Sequence, residues 1–194
     1  MKIIKAASTA LVLAGLALGT ASATTMTYKH TSTDGAWGNI DIDGTTTYVN
    51  AGKFTFVDKA DPPNTIYGFC AETGTTLKSG YYDYTRSSAE SYFGEQIAQE
   101  MQNLFRTSYT YDLGDEPNSW APFQLAVWAI QHGKIGVSSF DNIVVTTAQD
   151  MVADARGLSD WTKDYDYQLH VFSNEYTQDW LTWDIVDPEI KTRV

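Results

Sequence analysis

Alternation of apolar and polar positions marks the first half of the chain as β-structure. Asn39-Ile40-Asp41-Ile42 and Thr45 to Asn50 flank Asp43-Gly44, a pair that favours the positive φ angles of a two-residue hairpin turn. Lys53 to Asp58 alternates again, with Phe54 and Phe56 on one side. Asp61-Pro62-Pro63-Asn64 reads as a loop, and Thr65 to Glu72 as the next strand. A period of two puts Ile66, Gly68 and Cys70 on one face of that strand and Tyr67 and Phe69 on the other.

The period then changes. Ser87-x-x-Glu90 is a capping box, and Phe93, Ile97, Met101, Leu104 and Phe105 follow it as a helical stripe to about Arg106. Tyr109 to Ser119 is polar and acidic, the composition of a loop. A second helix starts near Pro122, carries Phe123, Val127 and Ile130 at helical spacing, and stops at Gly133. A third runs from about Thr147 to Arg156, ahead of Gly157. Alternation returns at Tyr165, Tyr167, Leu169 and Val171, then at Leu181, Trp183 and Ile185. The pattern predicts an α+β fold: one compact domain with a β-sandwich or sheet region and a helical insert.

The first residues change the picture from a domain to an exported domain. Lys2 and Lys5 precede an apolar run, Ala10 to Leu18, and Ala21-Ser22-Ala23 supplies a small-x-small cleavage site. Residues 1–23 therefore read as a signal peptide, and the run is too short for a membrane span. The expected mature domain is Thr24 to Val194, with 11 basic side chains against 24 acidic ones and a net charge of −13. That charge repels nucleic acid and anionic lipid. The expectation is a secreted or extracytoplasmic protein, in the periplasm or at the cell surface, with no nucleic-acid partner and no membrane span after cleavage.

Export makes the cysteine usage informative. Cys70 is the one cysteine in the sequence, so it has no intramolecular disulfide partner. One reading is a buried, inert thiol that packs as a small hydrophobe. The other comes from its surroundings. Gly68-Phe69-Cys70-Ala71-Glu72 ends a strand, and Pro122-Phe123-Gln124-Leu125-Ala126-Val127-Trp128 opens a helix. An aromatic-Cys on a strand followed by an apolar-Gln-x-Ala-apolar-Trp at a helix start resembles the thioester domains of bacterial surface adhesins. The resemblance covers roughly Tyr67 to Ile130.

The resemblance implies that Cys70 and Gln124 condense, with loss of ammonia, into an internal thioester, with Phe69, Phe123 and Trp128 as supporting positions. A thioester is a stored acyl group. An amine or hydroxyl on a surface protein or glycan would open it, leaving a stable amide or ester and a free thiol. Such a chain serves adhesion or matrix attachment, needs no cofactor, and is consumed by its single turnover, so it is not an enzyme. The alternative function is a non-covalent exported binding or matrix module with a free, buried Cys70. A hydrolase built on Asp112, Asp115 and Glu116 is a weaker reading, because acidic loops are common in a chain this negative.

Other chemistry is thin. His132 lies two turns after Gln124, rotated away from it, and His30 and His170 are scattered, so no zinc set is present. Asn39-x-Asp41-x-Asp43-Gly44 begins like a calcium loop, but Asn50 stands where the bidentate Glu belongs, and a hairpin turn accounts for these residues.

Overall fold

The structure is a computed structural model that describes residues 25–109, 120–158 and 167–185. The expected leader with its cleavage site, and Asp112, Asp115 and Glu116, lie outside the described residues. The hairpin forms as its pattern predicts. Strand β1 (Thr25–Ile42) turns into β2 (Thr45–Asp58) through Asp43 and Gly44, whose φ angles are 52° and 80°. Both residue types tolerate that region, and the turn twists with the strands it joins.

Strands β3 (Thr65–Cys70), β4 (Tyr81–Ser88), β5 (Gly136–Ser138), β6 (Tyr167–Ser173) and β7 (Trp180–Ile185) complete a sheet in the order β2-β3-β7-β6-β4-β1-β5. Its ladders are antiparallel, and β1 also pairs with β2. That extra pairing closes six strands into a ring, which leaves them few open edges. Strand β5 adds to the far half of β1.

Two strands and one break go beyond the sequence pattern. Tyr81–Ser88 is a strand of tyrosines and polar residues without clean alternation, held by β1 on one side and β6 on the other. Gly136–Ser138 is a three-residue strand, too short for any period. The helix expected after the capping box is two helices, α1 (Ala89–Phe93) and α2 (Glu95–Ser108), because Gly94 takes φ 85° between them. The cap is Ser88, whose hydroxyl accepts the Ser91 N–H at 3.1 Å, while Ser87 still belongs to β4. Helix α3 (Ala121–His132) ends at Gly133 as predicted. Helix α4 (Asn142–Gly157) starts earlier than its apolar stripe suggests, after Asp141.

The two faces of the ring make two cores. Tyr28, Phe56, Tyr84, Phe172 and Trp180 include ring contacts between strands that are not neighbours, Tyr28 with Trp180 and Phe56 with Tyr84, so they fill its interior. The Trp180 ring lies between Phe56 (4.1 Å, 14°) and Phe172 (4.4 Å, 12°). On the outer face Phe69, Leu169, Val171 and Leu181 pack with Leu104, Phe105, Phe123 and Val127 of α2 and α3. Helix α3 serves both cores. Ala121, Leu125 and Trp128 join the inner one, and Phe123, Ala126, Val127 and Ile130 the outer. A helix buried on two sides keeps little polar surface, and Gln124 in its first turn is fully buried.

Gly68 shows how tightly β3 lies on Trp180. A Cβ there would come within 2.6 Å of the indole and 2.8 Å of the Leu181 carbonyl oxygen. Gly68→Ala is expected to cost about 1–3 kcal/mol through overpacking, read as a lower melting temperature in calorimetry.

Candidate functional site

Cys70 is the last residue of β3, pairs with Trp180 of β7, and is completely buried. Its thiol donates to the Glu72 main-chain carbonyl. The Gln178 Nε2 donates to the Cys70 sulfur at 2.5 Å and to the same Glu72 carbonyl at 3.1 Å. The Gln178 amide carbon is one bond from that nitrogen, so it lies at most about 3.8 Å from the sulfur. Burial pushes the Cys70 thiol well above its ordinary range, and hydrogen bonds from its neighbours offset only part of that shift. The sulfur is therefore a neutral thiol next to a carboxamide, in a place water does not reach.

Gln124 also meets Cys70, but through the main chain. Its Oε1 accepts the Cys70 N–H at 2.7 Å and its Nε2 donates to the Cys70 carbonyl at 3.0 Å. The pairing expected from sequence puts the Gln124 carboxamide on the sulfur; in the structure both of its ends are engaged by the Cys70 backbone. The reason is position. The β2–β3 ladder ends at Lys53↔Phe69, one residue before Cys70, and the Gln124 side chain takes up the Cys70 peptide groups on the side that β2 leaves open.

A firmly tied loop presents Gln178. The Asn174 side-chain oxygen accepts the N–H groups of Tyr176 (2.7 Å) and Thr177 (3.1 Å), an Asx turn. The Asp179 carboxylate accepts the Asn174 N–H at 2.8 Å and the Tyr92 hydroxyl at 2.7 Å. The Asp179 N–H donates to Glu72 Oε1 at 3.0 Å, and the Ala71 N–H to the Asp179 carbonyl at 2.9 Å. The Lys78 N–H closes the far side on Thr177 Oγ1 at 3.0 Å. Burial and the Asp179 bond hold the Tyr92 hydroxyl well above the ordinary tyrosine range, so it stays a donor. These bonds fix the residue before and the residue after Gln178, which leaves its side chain aimed at Cys70.

The three aromatic positions divide. Phe69 and Phe123 pack on each other at 4.6 Å in the outer core, on the opposite face of β3 from Cys70. Trp128 belongs to the inner core with Cys70, Ala121 and Leu125. His132 ends α3, where burial lowers its pKa and the nearby Asp43 partly opposes this. Asp41 caps its turn, accepting from the Gly44 N–H and the Thr46 hydroxyl, each at 3.1 Å. Among the described residues no group of three His, Cys, Asp or Glu side chains could hold a metal ion, and no helix is long and apolar enough to cross a membrane.

Gln178 is the site residue the sequence pattern does not reveal. Its one signal is a polar Thr177-Gln178-Asp179 segment ahead of the apolar Trp180-Leu181, and that becomes meaningful only once β7 is known to lie beside β3.

No protein-family model matches the chain, and no curated protein matches it. Solved structures do. The N-terminal thioester domain of a surface protein from Clostridium perfringens superposes with a TM-score of 0.52 at 11% identity, over 82% of this chain and 99% of that one. The thioester domain of the Staphylococcus aureus TIE protein gives 0.51 at 11% identity, over 83% of this chain and 78% of that one. The chain thus has the fold of bacterial thioester domains. At these identities the likeness describes the fold, and the chemistry rests on the residues just described.

Proposed function

We propose that the chain is an exported covalent-capture module whose reactive bond is a thioester between Cys70 and Gln178. The observation that carries this reading is the Gln178 amide nitrogen at 2.5 Å from a fully buried Cys70 sulfur. In the forming step the sulfur bonds to the Gln178 Cδ, the Cδ–Nε2 bond breaks, and the thiol proton goes to the departing nitrogen, which leaves as ammonia. The nitrogen that must receive the proton is already the sulfur's neighbour. Gln124, the acyl partner expected from sequence, acts instead as a clamp that holds the Cys70 peptide in register.

The stored acyl group then meets an amine or hydroxyl on a surface protein or glycan, forms an amide or ester with Gln178, and frees Cys70. The chain is spent by that event, as suits attachment and not turnover. Residues 1–23 direct it out of the cell and 24–194 make up the module. N-terminal sequencing of secreted material is expected to begin at Thr24; a start at Met1 would count against export by this leader.

Intact mass of the purified chain tests the bond. One ammonia less than the sequence requires, and no alkylation of Cys70 after unfolding, are the expected results. Full mass with an alkylatable Cys70 would leave the non-covalent binding module as the better account.

A further inference from the structure

We propose that the indole N–H of Trp128 is the hydrogen-bond donor that carries the Cys70 sulfur as it leaves the thioester. The inference rests on the Cys70–Gln178 bond proposed above and assigns a further residue to its opening.

Trp128 follows Gln124 by one turn of α3, so the helix that clamps the Cys70 peptide also delivers the indole to the same place. Its side chain is 1% exposed and packs in the inner core with Cys70. Its Nε1 is completely buried and makes no hydrogen bond of regular geometry, and the group it bears on is the Cys70 thiol. A buried donor that lacks a well-formed bond calls for an explanation. The polar atom this one acts on is the Cys70 sulfur, where its N–H favours the charged form.

The chemistry gives such a donor a task. When an amine attacks, its nitrogen bonds to the Gln178 Cδ, the Cδ–Sγ bond breaks with its electron pair going to sulfur, and the proton shed by the amine ends on sulfur. Negative charge thus builds on an atom whose burial strongly disfavours it. Of the two side-chain donors on the sulfur among the described residues, the Gln178 Nε2 has already left as ammonia. The Trp128 N–H remains. Nor can a helix N-terminus assist at the acyl carbon, since Gln178 lies in the loop before β7 and not in a first helical turn. A donor that is poorly aligned on the resting thiol and tightens as charge develops favours the transition state over the ground state, which is what speeds the opening step.

The test replaces Trp128 with 3-benzothienylalanine, which keeps the bicyclic shape and exchanges the N–H for sulfur, with Trp128→Phe as a second variant. Both are expected to fold. The isostere is expected to keep the ammonia loss in its intact mass and to react with methylamine about ten- to a hundredfold more slowly than the wild type, the effect of one hydrogen bond to a developing charge. A role in packing alone would leave the isostere unaffected. A parallel measurement uses the free thiol of Gln178→Ala, where the isostere is expected to slow alkylation of Cys70 and move its pH profile to higher pH. Wild-type rates in both assays would overturn the proposal. Full mass in the wild type would instead defeat the thioester itself, a separate and visible outcome.

Discussion

Incubated with methylamine, the wild-type chain is expected to gain one amine adduct on Gln178 and an alkylatable Cys70, while Gln178→Ala and Cys70→Ala gain nothing. Aminolysis exchanges a thiolate leaving group for a stable amide, so the reaction proceeds downhill and leaves a permanent mark that tandem mass spectrometry can place. Either substitution removes one end of the bond, so the expected effect is complete loss of the adduct. Gln124→Ala separates the two glutamines. It leaves the buried N–H and C=O of Cys70 without their partners, at about 1–3 kcal/mol for each buried polar group. A less stable protein that still loses ammonia and still carries its adduct on Gln178 is therefore expected. An adduct on residue 124 in the wild type would restore the pairing first read from sequence and remove the clamp.

That contrast shows where sequence reading reached and where it stopped. The hairpin at Asp43-Gly44, the helix that stops at Gly133 and the β6–β7 alternation were legible because each follows a local rule of turn chemistry or period. The chemistry of the site was legible as a neighbourhood, since Cys70 and Gln124 do meet. The contact on the sulfur itself was not legible. Which glutamine faces the sulfur depends on the β3–β7 ladder, and a contact between residues 108 positions apart leaves no trace in local pattern. Strand β4 escaped for a related reason. Its Tyr-rich, polar sequence is set between β1 and β6 by the closed sheet and carries no period of its own. The split of the first helix turned on Gly94, which a stripe of apolar positions cannot reveal.

Trp180→Ala is expected to be the most destabilising single change in the inner core. The ring is fully buried and stacked between Phe56 and Phe172, with Tyr28 and Tyr84 edge-on at 5.5 and 5.7 Å. Its removal would open a cavity that strands closed in a ring cannot collapse to fill, and buried Trp→Ala changes cost about 3–5 kcal/mol. For a domain of this size that corresponds to a fall of roughly 6–20 °C in melting temperature. The consequence extends to the proposed thioester pair, because Trp180 opens β7 directly after Gln178-Asp179 and sits opposite Cys70 in the ladder. The ring that fills the barrel therefore also anchors the start of the strand that presents Gln178 beside Cys70. Trp180→Phe keeps an aromatic ring in the stack and is expected to retain most of the stability. If melting and ammonia loss were both measured across these two variants, a protein that stayed folded while forming less thioester would link core packing to the chemistry. Unchanged ammonia loss in Trp180→Ala would show instead that the loop ties at Asn174 and Asp179 are sufficient to aim Gln178 by themselves.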